Sequence, residues 1–249
     1  MIRLRWMWTN YPVINGQKLL ALVPARGGSQ RLPKKNILEL AGKPMICWSI
    51  DAAKQSRFVD QIVVSTEDSS IADIARQAGA EVPFDRPSHL AAGTSTTMDV
   101  VEHTLGELEK IGHSFEYILL LQPTSPLRRC HHIDESIEVL CNRKADAVIG
   151  VTQVEHPIEW TNTLNEDLSM DQFFGPSFMK RSQDFPIRYR VNGAIYLARV
   201  QCLRDEGTFF LKTNIFGYVM EQEASVDVDT LFDFRVAQMV LGEKPSENY

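Results

Sequence analysis

Residues 19–36 read LLALVPARGGSQRLPKKN. Five aliphatic residues run into Pro24, and Gly27 and Gly28 follow at once. A near-continuous apolar run of this length suits a strand covered on both faces, as in a parallel sheet. The glycines let the chain turn away at the strand's carboxyl end, where such sheets bind ligands. The same kind of run recurs at residues 62–65, 117–121 and 147–151. Between these runs, residues 46–54, 70–78, 99–111 and 132–140 carry apolar positions at helical spacing. In the second helix, Ser70 with Asp73 forms an expected capping box, and Gly79 is the expected stop. Strands alternating with amphipathic helices predict an α/β fold with a mainly parallel, Rossmann-like sheet. Ligand contacts are therefore expected just after Val23, Ser65, Leu121 and Val151.

From about residue 153 to 190 this rhythm stops. The stretch is polar, with Pro157, Trp160, Phe173, Phe174, Pro176, Phe178 and Pro186, and reads as an inserted excursion with exposed aromatics. Strands resume at 193–198 and 214–219, and residues 231–241 close the chain as a helix. Residues 1–17 contain Arg3, Arg5, Trp6 and Trp8 but no apolar run of signal-peptide length, so they read as an extension to a single domain over 18–249.

Composition narrows the function. The 249 residues carry a formal net charge of -6, which disfavours a protein that grips nucleic acid by neutralising phosphates. Apolar runs such as 118–121 fall far short of the ~20 residues of a membrane span. The four cysteines, Cys47, Cys130, Cys141 and Cys202, form no C-x-x-C pair, the usage of a reducing, cytoplasmic compartment. His131-His132 lacks partners at zinc spacing, and neither G-x-S-x-G nor H-E-x-x-H occurs.

Four segments can carry chemistry. After the first strand, Arg26, Arg31, Lys34 and Lys35 surround the glycine pair, giving countercharge and close backbone approach for a triphosphate. The loop fits neither a Walker motif nor G-x-G-x-x-G, and a solvated basic turn would have the same composition. In 225–230, SVDVDT, an extended backbone puts Asp227 and Asp229 on one face, with Cα atoms about 6–7 Å apart, suited to sharing a hard cation. The same residues also suit the start of a helix, with Thr230 and Asp233 as its cap. In 121–128, LQPTSPLR, two prolines fix a loop presenting Gln122, Thr124, Ser125 and Arg128 to a polyhydroxylated ligand, or simply form a rigid polar turn. The fourth segment, 190–196, RVNGAIY, brings Arg190 and Asn192 to the start of a strand.

Taken in order, ALVPARGGSQRLPKKN, DRPSHLAAGTSTT, LLQPTSPLR, RVNGAIYL and SVDVDT resemble the CMP-N-acylneuraminate (CMP-sialic acid) synthetases, across nearly the whole chain. The resemblance implies a nucleotidyltransferase that moves CMP from CTP, with Mg²⁺, onto a nine-carbon keto sugar acid and releases pyrophosphate. It also implies a homodimer that exchanges the excursion. Ala25, Arg26, Gly28, Ser29, Lys35 and Asn36 match its nucleotide and triphosphate contacts, and Arg86, Ser95 and Thr97 its cytidine side. Gln122, Thr124, Ser125, Arg190, Asn192, Phe209 and Phe210 fall at or beside its sugar pocket. Asp227 and Asp229 match its metal and catalytic carboxylates, with Arg26, Lys35 and Asp227 as the catalytic set. Gln30, Glu159 and Ser182 depart from residues usual in the family, and a carboxylate at Glu159 is expected to disfavour an acidic sugar beside it. A 3-deoxy-manno-octulosonate cytidylyltransferase shares fold and CTP but not the NGAIY segment. A non-enzymatic sugar-nucleotide-binding module would have no reason to keep D-x-D with the basic loop.

Overall fold

The computed structural model describes residues 14, 16–29, 31–176 and 178–242. Gln30 and residues 1–13 therefore lie outside the described residues. Ile14 does not, and it is buried in the core, so the fold takes in part of the expected extension.

Strands β1 (Leu19–Pro24), β2 (Glu39–Leu40), β3 (Lys43–Pro44), β4 (Gln61–Ser65), β5 (Tyr117–Leu120), β6 (Ala147–Gln153), β7 (Tyr189–Arg199) and β8 (Ile215–Val219) alternate with six helices. The helices are α1 (Met45–Gln55), α2 (Ser69–Ala78), α3 (Thr97–Lys110), α4 (Cys130–Arg143), α5 (Val200–Glu206) and α6 (Leu231–Val240). Six strands form one sheet in the order β4-β1-β5-β7-β6-β8, while β2 and β3 form a small hairpin.

Strand alternation builds two cores from one run. In β1, Leu19, Ala21 and Val23 enter a cluster with Ile46, Ile50, Ile71 and Ile137. Leu20 and Leu22 point the other way, to Val101, Leu105, Leu108 and Leu203. In β5, Tyr117 and Leu119 join the first cluster, while Ile118 and Leu120 join the second. Both faces are thus covered, which is why the strands read as unbroken apolar runs.

The sheet departs from fully parallel at β7, which is antiparallel to β5 and β6. Gln153 at the end of β6 pairs with Tyr189 at the start of β7. The excursion therefore leaves and re-enters at the ligand edge, and the returning strand must run backwards. The excursion itself holds only two short 3-10 turns, Ile158–Trp160 and Ser182–Asp184. The α2 cap also differs from expectation. Asp68, not Ser70, is the N-cap, its carboxylate accepting from Ile71 N–H at 3.1 Å, while Gly79 closes the helix at φ 94°. No helix among the described residues is long and apolar enough to cross a membrane.

Candidate active site

The carboxyl ends of β1 and β5 and the segment before α6 surround a cavity of about 370 Å³. Arg26, Ser29, Lys35, Asn36, Thr97, Gln122, Thr124, Asp227 and Asp229 line it. It adjoins a second chamber of about 240 Å³, sharing Thr97 and Gln122 and walled by Met98, Leu120, Tyr196, Phe209 and Phe210. One chamber is charged and the other aromatic.

Local folding explains each placement. Val228 is fully buried against Leu40, Met45 and Phe234, and its N–H donates to Thr124 O at 2.7 Å. With Val228 pinned inward, Asp227 and Asp229 turn to the cavity. Thr230 and Asp233 form the capping box of α6, so the segment is both helix start and site wall. On the opposite side, Asn36 donates from Nδ2 to Arg26 O at 2.9 Å and folds the basic loop back on itself.

The two aspartates are electrostatically unlike. Lys35 Nζ lies 2.8 Å from one oxygen of Asp229, and Arg31 lies 2.8 Å from the other. Burial opposes the ionised form of Asp229, but Lys35 and Arg31 together hold its carboxyl below the ordinary range. Asp227 is raised, by burial first and by the nearby Asp229 charge, against a hydrogen bond from Thr124. Burial, then Asp227, raises the Tyr196 phenol. Two hard-oxygen carboxylates whose mutual repulsion is only partly relieved fit a divalent cation, since Mg²⁺ takes one or two carboxylates plus substrate phosphates. Among the described residues no group of three or more ligating side chains gathers, here or elsewhere, so a cation at this pair would need oxygens from the substrate.

The glycine pair divides its duties. A Cβ on Gly27 would meet Asp68 Oδ2 at 2.6 Å, and the Gly27 N–H already donates to Glu67 Oε1 at 2.8 Å. Gly28 is exposed on the loop, and a Cβ there would meet nothing within 4 Å. Ala25 spends its N–H on Ser65 O at 3.0 Å, so it can meet a ligand only through its carbonyl. Arg86 is buried at the end of β4, bonded to Ser65, and burial lowers its guanidinium. Ser95 donates from its hydroxyl to His89 O at 2.5 Å, holding the turn before α3.

Several expected contacts lie elsewhere. Arg128 is not presented to the cleft. It is buried beneath the loop, because its fork satisfies backbone carbonyls inside the fold. Arg190 pairs with Glu155 at 2.9 Å and is not among the residues lining either chamber. Asn192 is buried with Ser225 and Met220 and braces the D-x-D segment from behind. Glu159 is bound to Arg188 within the excursion, which cancels the charge expected to act on a sugar. Ser125 is fully buried near the cleft floor, and its hydroxyl has no partner.

Gly193 and Tyr196 belong to the fourth segment, 190–196, where the sequence assigned a role only to Arg190 and Asn192. A Cβ on Gly193, at φ 76°, would sit 2.8 Å from Gln122 Oε1, 3.5 Å from Ser125 Oγ and 3.9 Å from Asp227 Oδ2. Gln122 reaches over this glycine because nothing projects from it. The signal was present: a tyrosine in the otherwise apolar stretch AIYLA, three residues beyond a glycine.

Comparison with known proteins identifies the family. Residues 20–227 match a family model described as Cytidylyltransferase. The chain is 30% identical over 223 residues to the pseudaminic acid cytidylyltransferase of Campylobacter jejuni, covering 90% of this chain and 96% of that one. It is 33% identical over 228 residues to the CMP-N,N'-diacetyllegionaminic acid synthase of Legionella pneumophila, covering 90% and 96%. It is 36% identical over 220 residues to an N-acylneuraminate cytidylyltransferase of Streptococcus agalactiae, covering 87% of this chain but 52% of that longer protein. In fold it is similar to CMP:2-keto-3-deoxy-manno-octonic acid synthetase complexed with CTP, with TM-score 0.64 at 18% identity, covering 90% of this chain and 98% of that one.

Proposed function

The chain belongs to the cytidylyltransferase family, among the CMP-nonulosonate synthetases, and we propose that it transfers CMP from CTP to the anomeric hydroxyl of a nine-carbon keto sugar acid. The observation that carries this reading is the paired cavity. A basic loop faces two aspartates across one chamber, and Gln122 joins that chamber to an aromatic one.

In this reading the triphosphate lies along Arg26, Ser29 and Lys35, with cytidine toward Arg86, Ser95 and Thr97. The sugar acid lies over Gln122 and Thr124, with its acylated side against Tyr196, Phe209 and Phe210. The acceptor oxygen bonds to the α-phosphorus as the bond to the bridging oxygen breaks and pyrophosphate departs. Arg26 and Lys35 offset charge gathering on that leaving group, which matters most in a site shielded from water. Asp227, on the wall of the charged chamber, takes the hydroxyl proton. Asp227 and Asp229 would hold Mg²⁺, which supplies charge neutralisation at the phosphates.

Exposed Ile158, Leu164, Met170, Phe174, Met179 and Ile187 on the excursion support a homodimer formed through it. All four cysteines are free, in keeping with a cytoplasmic enzyme. For the acceptor we favour a legionaminate- or pseudaminate-type acid over N-acetylneuraminate. The relatives matched almost end to end carry those names, while the N-acylneuraminate relative is about twice as long. Comparing kcat/KM for the three acids and for eight-carbon 3-deoxy-manno-octulosonate tests this. Preference for N-acetylneuraminate by more than about tenfold, or ~1.4 kcal/mol, contradicts the favoured acceptor. Turnover of the eight-carbon acid alone contradicts the class.

A further inference from the structure

Arg128 heads the fully buried large side chains, at 2% exposure. One terminal nitrogen donates to Ala194 O at 2.7 Å and to Gln122 O at 3.4 Å, and the other donates to Ser49 Oγ. Its Nε has no partner, and no carboxylate offsets the burial that pulls the guanidinium down to about 9. A buried cation without a counterion costs stability, and an apolar residue of like volume is commonly the more stable choice. The fold nevertheless keeps this arginine.

Its partners show what it does. Gln122 O also accepts from Ser125 N–H at 3.2 Å and from Ser49 Oγ at 3.4 Å. Ala194 directly follows Gly193, the residue over which the Gln122 side chain lies. Arg128 therefore fixes, in one planar fork, the separation of the Gln122 and Ala194 backbones, and with it the approach of the Gln122 side chain to Gly193. None of its partners belongs to the Pro24–Asn36 loop. A lysine would keep the charge but could not reproduce a fork spanning two carbonyls and a hydroxyl.

We infer that Arg128 is a positioning residue for the acceptor: its buried fork holds Gln122 over Gly193 so that the Gln122 amide meets the sugar acid, while nucleotide binding stands apart from it. This rests on the cytidylyltransferase reading above. The test compares wild type with Arg128→Met, Arg128→Lys and Ser49→Ala. CTP affinity is measured by calorimetry, and kcat and KM are measured with the sugar acid that wild type turns over best. In Arg128→Met, kcat/KM for the acid is expected to fall about tenfold or more, mainly through KM, with CTP affinity within about twofold of wild type. Arg128→Lys should fall between, and Ser49→Ala should move the same way by less. Ser49→Ala decides the matter if Arg128→Met fails to fold. Parallel loss of CTP affinity and acceptor binding, or no change in acceptor KM, overturns the positioning role. Wild type inactive with every acid removes the functional reading and this inference with it, whereas active wild type with unaltered variants removes this inference alone.

Discussion

Lys35 Nζ stands 2.8 Å from Oδ1 of Asp229, although the two residues are 194 positions apart in the chain. Arg31 holds the other oxygen of the same carboxylate. Two cations of the basic loop after β1 are thus matched to one protein anion. In the proposed function, an incoming triphosphate would compete with Asp229 for them, leaving the Asp229 carboxylate available to a metal ion.

Asp229→Asn should therefore tighten CTP binding measured in chelator, because Lys35 and Arg31 lose their internal partner. With Mg²⁺ present, the same variant should turn over more slowly by about tenfold or more, since a neutral amide is a poorer ligand for a hard cation. Calorimetry in chelator and steady-state rates in Mg²⁺ check the two halves separately. Weaker CTP binding without metal would contradict the competition.

Arg26 is exposed on the loop. Arg26→Ala should lower turnover by about 10²-fold or more, through loss of a fixed partner for developing charge. Its unfolding free energy should stay within about 0.5 kcal/mol of wild type, as for most surface substitutions. Rates and denaturant unfolding together decide this, and near-normal turnover would remove Arg26 from the triphosphate site.

Chelator should abolish turnover and leave the fold intact. The core clusters around β1 and β5 contain no residue of the D-x-D segment, and Val226 and Val228 pack in a separate cluster with Leu40, Met45 and Phe234. Circular dichroism before and after chelation should superimpose, while pyrophosphate release stops. Undiminished activity in excess chelator contradicts a metal role for Asp227 and Asp229.

Stability should fall on mild acidification. His132 is buried, with its ring tilted against His131 and 3.3 Å from Glu221. Burial, then His131, lowers its pKa against the pull of Glu221 and Glu135. The unfolded histidine titrates near 6.5, so below that value the unfolded chain takes up a proton that the native state resists. Stability is fully present above about pH 6.5 and declines below it. His103, also lowered by burial, adds the same sign. Thermal melts at about pH 7.5 and about pH 5.5 should show the lower Tm in acid, and His132→Gln should narrow the gap. A Tm that rises on acidification contradicts the assignment.

Much of this architecture can be read from local pattern. The runs that became β1, β4, β5 and β6 are apolar on both faces, and that composition alone separates them from the helices between. Strand direction cannot be read this way, because β7 has the same composition whichever way it runs. Its antiparallel course follows from the excursion returning at the edge it left. The α2 cap was misplaced by two residues because Asp68, Ser69 and Ser70 are all capping types, and only the contact to Ile71 N–H separates them. Arg128 and Glu159 show the deeper limit. An arginine after two prolines suggests a ligand contact until Ala194, 66 residues on, is seen to receive it. Glu159 reads as an unmatched charge until Arg188, 29 residues on, closes the pair. In both cases the partner is set by the tertiary fold, not by spacing.

The most direct measurement follows the phosphorus. With Mg²⁺ and a nine-carbon keto sugar acid, CTP radiolabelled at the α-phosphorus should pass its label to a CMP-sugar, with one unlabelled pyrophosphate released for each. Omitting the acid should stop both. Label found only in CMP, pyrophosphate release indifferent to the acid, or no CMP-sugar with any nine-carbon acid would contradict the reaction proposed for this cleft.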